Sequence, residues 1–409
     1  MLSRYLSPSV SNLCFSDHKI AFISGPRRCG KTTLAKMILD ERKTGRYCNW
    51  DDIAFRRIWA KEPKSIIPES SVAAGGVPLV VLDEIHKARS WKRTLKGVYD
   101  TLKAPADILV TGSARLAVYR KGSDSLLGRY LPFRLHPFSL REMNRPDSLP
   151  PDEVLESLFS RSLRSRRSLQ ERIESLMEFG PFPEPLFSQN KKKARLWRRT
   201  RVEAIIRQDL RDLTRIPEFS RIEMMAALVP DRVGSPFSIS SLQEDLEVSH
   251  PTVKRWLLLL QELYYLYEIK PFQKRIARSL KKEGKVYLWD WSEVPDRAAR
   301  FENLVAGHLL KACHFWTDTG EGTFELFYLR NKEKQEIDFL ITKDGDPWLP
   351  VEAKLSEPAP SPNWRKFLKM LPCRRALQLI YTPGHWKKHG IEDATLLTAS
   401  ASEILDYLI

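Results

Sequence analysis

Short, wholly apolar runs that stop at glycine or at acidic residues dominate the first third of the chain. Ile20-Ala21-Phe22-Ile23 runs towards Gly25, Leu79-Val80-Val81-Leu82 into Asp83-Glu84, and Ile108-Leu109-Val110 into Thr111-Gly112. Apolar stretches of this length without alternation predict strands buried on both faces, as in a parallel sheet. After the first run, Leu34, Ala35, Ile38 and Leu39 recur at helical spacing. The pattern changes beyond residue 150. Residues 151–233 are rich in Leu, Arg and Glu at helical spacing, interrupted by Gly180-Pro181-Phe182-Pro183. A short helix over 240–246 and a turn at Glu247-Val248-Ser249 follow. A longer helix then opens with Ser249 as N-cap and Pro251 in its first turn. Val253, Trp256, Leu257, Leu260 and Leu263 form its buried stripe, leaving Thr252, Lys254 and Arg255 on an outer face.

Two further strands, Tyr264 to Phe272 and Lys285 to Trp289, flank a basic stretch and complete a winged-helix pattern. From Glu336 the chain reads as a hairpin through Lys343-Asp344-Gly345-Asp346. Its register decides where chemistry gathers. If the loop spans the three residues 344–346, Asp338 lies across from Glu352; a two-residue loop puts Asp338 on the opposite face. Glu352 and Lys354, two apart on one strand, share a face in either case.

The chemistry begins between the first strand and the first helix. Gly25-Pro26-Arg27-Arg28-Cys29-Gly30-Lys31-Thr32, with Thr33 after it, has the G-x-x-x-x-G-K-[ST] spacing of a phosphate-gripping loop. Its glycines let backbone N–H groups curl around a triphosphate at a helix N-terminus. Lys31 is expected at the β- and γ-phosphates and the Thr32 hydroxyl on Mg²⁺, so ATP with Mg²⁺ is the expected cofactor pair. Asp83, at the carboxyl end of a buried strand, is the second expected Mg²⁺ residue, and Glu84 the general base on water. At the end of the next strand, Ser113 or Thr111 is the polar group expected to sense the γ-phosphate. Arg129, in Gly128-Arg129, is the arginine chosen to face the developing charge, donated by a neighbouring copy in a homo-oligomer.

Charge adds a partner. Of 409 residues, 67 are Lys or Arg and 51 Asp or Glu, a net +16. One dense run holds Lys191-Lys192-Lys193, Arg195, Arg198-Arg199 and Arg201; another holds Lys270, Lys274-Arg275, Arg278, Lys281-Lys282 and Lys285. Such runs suit a polyanion, because phosphate contacts release counterions. DNA is the expected partner, met by Thr252, Lys254, Arg255, Lys192, Arg198, Arg199, Lys274 and Arg275; a winged helix used only for packing is the alternative. No run is long enough to span a bilayer. The five cysteines are scattered without a C-x-x-C pair, so neither a zinc site nor a disulfide framework is expected. With no basic-then-apolar leader at Met1-Leu2-Ser3-Arg4-Tyr5, a cytoplasmic location is expected.

At the end of the chain, Asp338 and Glu352 offer hard oxygens for Mg²⁺ and Lys354 an ammonium to position water, the ingredients of phosphodiester cleavage. Glu302, in Phe301-Glu302-Asn303-Leu304, is expected to add a carboxylate. The order GPRRCGKTTL, VVLDEIHK, LVTGSARL, LLGRYLPFRLHPFSLREM, HPTVKRWLLLLQELYYLYEIKPF, KVYLWD, FENLVA, EIDFL, VEAK resembles the AAA-type P-loop ATPases whose C-terminal half is a domain of unknown function similar to PD-(D/E)-x-K nucleases. The resemblance implies an α/β chain: an AAA-type parallel-sheet ATPase core over 1–145, a helical lid or connector over 146–235, a winged helix-turn-helix over 236–292 and an α/β nuclease-like domain over 293–409. It also implies nucleotide roles for Gly25, Gly30, Lys31, Thr32, Asp83 and Glu84, an arginine position at Arg129, and a nuclease-like triplet of Asp338, Glu352 and Lys354. One departure stands out: Ile337, where such domains usually carry proline, precedes Asp338. The function implied is an ATPase acting on DNA, with metal-dependent cleavage at its C-terminal end. The alternative is a protein-remodelling or signalling ATPase whose later domains only bind partners.

Overall fold

A computed structural model describes residues 2–42, 44–68, 76–112, 126–145, 147–161, 166–210, 218–273 and 283–409. Ser113, Lys274 and Arg275 lie outside the described residues. The chain forms two compact units, residues 1–137 and 138–409.

The first unit is built on a five-stranded parallel sheet in the order β2-β3-β4-β1-β5. The strands are β1 (Ile20–Ser24), β2 (Gly45–Asn49), β3 (Leu79–Asp83), β4 (Asp107–Gly112) and β5 (Tyr130–Arg134). The three apolar runs are the three central strands, each buried along its whole length. Phe22, Val80, Leu82, Ile108 and Val110 pack on one side with Trp91, Leu95 and Val98 of helix Trp91–Asp100. The two edge strands are more polar and carry no comparable signal; Pro132 sits in one of them, where a missing N–H is tolerated. Because β4 lies between β1 and β3, the ends of all three strands face one another across the rim that carries the phosphate loop.

The second unit centres on an eight-stranded mixed sheet, β12-β13-β11-β10-β9-β8-β6-β7. Its strands are β6 (Leu266–Pro271), β7 (Lys285–Leu288), β8 (Phe324–Arg330), β9 (Glu336–Lys343), β10 (Asp346–Lys354), β11 (Arg375–Ile380), β12 (Trp386–Ile391) and β13 (Ala394–Ser400). The expected helix pair is present as Ile239–Leu246 and His250–Glu262. The second helix is capped by Ser249, and Val253, Trp256, Leu257, Leu260 and Leu263 are buried. β6 and β7 pair antiparallel beside it. β6 also pairs in parallel with β8 through Lys270–Phe327 and Pro271–Tyr328. This hairpin is therefore the edge of the C-terminal sheet. Asn303 of helix Arg297–Asp318 closes that edge: its side chain accepts from Leu288 N–H at 2.8 Å and donates to Leu288 C=O at 2.9 Å.

The hairpin between β9 and β10 resolves the register question in an unexpected way. Lys343 pairs with Asp346, so the loop is the two residues Asp344-Gly345, both at positive φ (53° and 89°), as a primed hairpin turn requires. A bulge between Pro347 and Leu349 then adds one residue to β10, and from there Leu349 pairs with Ile341 and Val351 with Phe339. The bulge restores the register that the longer loop would have given. One step beyond the last pair, Asp338 comes level with Glu352. The opposite-face placement expected from a two-residue loop does not occur.

Candidate functional site

In the first unit the phosphate loop leaves β1 at Gly25 and enters helix Lys31–Asp40 through Gly30. Two glycines are required by geometry. A Cβ on Gly25 would lie 2.2 Å from the Leu135 carbonyl oxygen, and Gly30 sits at φ 102° as the helix N-cap. The loop is held from outside by Arg4, which donates to Cys29 C=O at 2.8 Å and to His136 C=O at 2.6 Å. Lys31 is 7% exposed and folds its ammonium back onto the loop, donating to Gly25 C=O at 3.0 Å and Pro26 C=O at 2.7 Å. Asp83, 1% exposed, is the centre of the site. Its Oδ2 accepts from Thr32 Oγ1 at 2.8 Å and from Tyr47 OH at 2.6 Å, and its Oδ1 from Thr111 Oγ1. Thr111 is thus tied to Asp83, which makes it part of that carboxylate's cradle.

Glu84 follows in the left-handed region (φ 58°), held by its N–H to Thr111 C=O at 3.1 Å. A non-glycine residue in that conformation stores strain, and such residues concentrate at functional sites. Burial pushes the Glu84 carboxyl above its ordinary pKa, opposed by the nearby charges of Lys31 and Lys87. Arg129 stands elsewhere. It precedes β5, whose first residue pairs with Ile20 at the start of β1, so it lies at the opposite rim, about 15 Å from the loop for five residues of strand. Its guanidinium makes a forked pair with Asp100 at 2.6 and 3.1 Å. Donation to a neighbouring copy's phosphates would first have to break that pair. Sequence reasoning missed Tyr47, since β2 is an edge strand whose exposed first residues give no strand pattern.

In the second unit the expected triplet meets on one patch. Lys354 Nζ pairs with Glu352 Oε1 at 2.9 Å, and Asp338 Oδ2 accepts from Ala353 N–H at 2.9 Å. Glu352 is 2% exposed, its Oε2 has no hydrogen-bond partner, and its carboxyl is pushed up by burial first and then by the Asp338 charge. Glu302 is differently engaged. Its Oε1 accepts from Tyr287 OH at 2.7 Å and pairs with Lys285 Nζ at 3.2 Å, while the same ammonium bonds Glu336. Lys285, expected within a basic surface run, is 1% exposed. It begins a strand beside the helix carrying Glu302, and the ion pair it makes there could not be read from its neighbours in sequence. Burial, then the Asp338 charge, raises the Glu302 pKa to about 7. Among the described residues no group of three or more His, Cys, Asp or Glu side chains gathers to hold a metal ion.

Comparison with known proteins matches three segments of the chain. Residues 17–144 match the family model of an AAA domain. The chain carries an AAA domain. Residues 170–293 and 298–392 match two domains of unknown function, DUF8612 and DUF4143. Two similar relatives are uncharacterized proteins of Mycobacterium bovis and Mycobacterium tuberculosis, each 22% identical over 399 residues, 94% of this chain and 81% of theirs. An uncharacterized protein of Haemophilus influenzae is 22% identical over 348 residues, 79% of this chain and 80% of its own. Among solved structures, a Walker-type ATPase of Pyrococcus abyssi aligns over 72% of this chain and 93% of its own with a TM-score of 0.42 and 15% identity. AMPPCP-bound DnaA from Aquifex aeolicus aligns over 63% and 86% with a TM-score of 0.30 and 16% identity.

Outside the AAA domain, the residues expected on nucleic acid divide. Lys192 and Arg199 on helix Lys191–Ala204, and Lys254 and Arg255 on helix His250–Glu262, are exposed. The Thr252 hydroxyl is 2.8 Å from Ser249 Oγ in the helix cap. Arg198 is half-buried and donates to Glu178 C=O at 3.2 Å. Arg201, from the same run, is internal: it lies over the Phe182 ring at 4.3 Å and pairs with Glu293 at 3.3 Å. No helix among the described residues is long and apolar enough to cross a membrane.

Proposed function

We propose that the chain is an ATP-hydrolysing AAA ATPase acting on nucleic acid, DNA in the first instance, with metal-dependent phosphodiester cleavage in its C-terminal unit. The observation that carries the ATPase reading is the meeting of Lys31, Thr32 and Asp83 at the carboxyl ends of β1 and β3. Lys31 exchanges the two loop carbonyls for the β- and γ-phosphate oxygens, and loop N–H groups take the rest. Thr32 and Asp83, a hydroxyl and a carboxylate in contact, fit Mg²⁺ by their hard oxygens. When bound, Mg²⁺ neutralises charge between the β- and γ-phosphates. Glu84 takes the proton of the attacking water, its raised pKa making it the stronger base.

DNA binding is supported by the exposed basic residues of the two helices. Affinity is expected to fall steeply with salt. The double reversal Lys192→Glu, Arg199→Glu is expected to weaken binding and to flatten the salt slope by about one for each phosphate left unneutralised. Filter binding across a salt series tests this; a salt-independent affinity would exclude the DNA reading.

For cleavage, Asp338 and Glu352 fit a divalent ion of the kind that is held by one or two carboxylates and retains water. The unpartnered Glu352 Oε2 is the group that fits it best. A bound ion would supply Lewis acidity at the phosphate, and Lys354 would orient the water. Glu352→Ala is then expected to stop Mg²⁺- or Mn²⁺-dependent nicking without touching ATP turnover, and Lys354→Ala to slow nicking while metal binding persists. Nicking that survives Glu352→Ala rules this site out. One observation favours the other reading, an ATPase whose later domains only bind partners: Lys285 already neutralises Glu302 and Glu336.

A further inference from the structure

Asp83 is bonded by three hydroxyls, and only one of them belongs to the phosphate-loop motif. Thr32 comes from the loop and Thr111 from β4, the strand next to β3. The third comes from Tyr47 of β2, on the other side of β3, where Tyr47 pairs with Val81 and Asn49 with Asp83. The Tyr47 hydroxyl donates to Asp83 Oδ2 at 2.6 Å and accepts from Asn49 Nδ2 at 3.2 Å, so its single proton is directed at the carboxylate. Its ring is fixed as well, with Lys36 of the loop helix 4.8 Å from the ring centre. We propose that Tyr47 is a positioning residue of the ATPase site, holding Asp83 in the orientation that receives the Mg²⁺ shell. This rests on the ATPase reading.

The physical reason lies in the geometry of Oδ2. Thr32 and Tyr47 both donate to that oxygen, and Thr32 is the residue whose hydroxyl oxygen would face the metal. With Tyr47 and Thr111 bracing the carboxylate from its two neighbouring strands, Asp83 cannot rotate away when Thr32 turns its lone pairs to the ion. Groups that orient metal-binding carboxylates typically contribute about ten- to a hundredfold in metal affinity or activity. No motif marks Tyr47; the sequence places it within a strand that starts in the open.

The test is a Mg²⁺ titration of ATP turnover and of fluorescent ATP-analogue binding by the full chain. Tyr47→Phe keeps the ring and its contact with Lys36 and removes only the hydroxyl. It is expected to raise the half-saturating Mg²⁺ about tenfold, with turnover at saturating Mg²⁺ within about twofold of the wild type and metal-free nucleotide affinity unchanged. Tyr47→Leu, which removes ring and hydroxyl, should show at least the same shift. A wild-type Mg²⁺ dependence in Tyr47→Phe, or a shift seen only in Tyr47→Leu, assigns the ring to packing and overturns the proposal. So does a lowered Mg²⁺ requirement, which would make Tyr47 a competitor of the metal. If the wild-type chain binds no nucleotide, the ATPase reading and this one fall together, whereas an active wild type with an indifferent Tyr47→Phe removes this one alone.

Discussion

Glu84→Gln is expected to slow ATP turnover at least about a hundredfold, the scale of losing a general base, while leaving ATP binding intact. Lys31→Ala is expected to abolish binding, since Lys31 is the buried cation of the phosphate loop. The two variants therefore separate binding from hydrolysis, and turnover beside equilibrium nucleotide binding reads both. Glutamine keeps the shape of Glu84 and its left-handed backbone, whose N–H bond to Thr111 C=O does not involve the side chain. Only the base is removed. The pH dependence has a definite sign. The base works ionised, and burial has raised its pKa, so wild-type turnover should fall with acid at a higher pH than an ordinary glutamate would give. That limb should vanish in Glu84→Gln. Wild-type turnover in Glu84→Gln would move the base to another residue.

Lys285→Ala is expected to destabilise the second unit by about 3–5 kcal/mol near pH 8, the usual cost of removing one partner from a buried ion pair. The ammonium is 1% exposed, sits among Glu302, Glu336 and the Tyr328 ring, and its own pKa is held above the ordinary lysine value by those carboxylates against the cost of burial. Without it, Glu302 and Glu336 keep the Tyr287 hydroxyl and Arg330 as partners, while the Asp338 charge still bears on Glu302. The sign with pH follows from Glu302. Its folded pKa, about 7, lies above that of the unfolded chain, so its contribution to stability is complete in acid and is lost as pH rises through that value. Removing Lys285 raises that pKa further. The deficit of Lys285→Ala should therefore shrink towards pH 5, where the Glu302 carboxyl is protonated. Urea unfolding of wild type and variant at pH 5 and pH 8 measures this, and an equal deficit at both would mean that the variant loses packing and not charge.

The parts of this architecture that were legible in sequence are those fixed within a few residues. Apolar runs ending in Gly25 or Asp83 marked the central strands, because strands buried on both faces need no alternation. Ser249 and Pro251 marked the start of a helix through its own cap. What stayed hidden depends on partners far along the chain. Lys285 and Arg201 look like surface charges until Glu302, Glu336 and Glu293 are brought to them. Arg129 looked available because Asp100 is remote in sequence. Tyr47 gained its role only when β2 was laid beside β3. The Asp338–Glu352 face was foreseen through a three-residue loop, whereas the chain uses two residues and a bulge.

That bulge makes the C-terminal patch a matter of parity. Trp348, the added residue, also packs on Trp316 and Phe324 with ring centres 5.6 and 5.5 Å apart, so the extra step is anchored in the core. With every residue present, pairing that ran straight through the two-residue turn would set Asp338 opposite Val351 and turn Glu352 and Lys354 to the far side of the sheet, so the shared face depends on Trp348 staying out of the ladder. Deleting Trp348 would remove the bulge and leave the later pairs, Leu349 with Ile341 and Val351 with Phe339, as they are. Chains with this hairpin can therefore keep the patch with or without the added residue, provided that it stays unpaired wherever it is present.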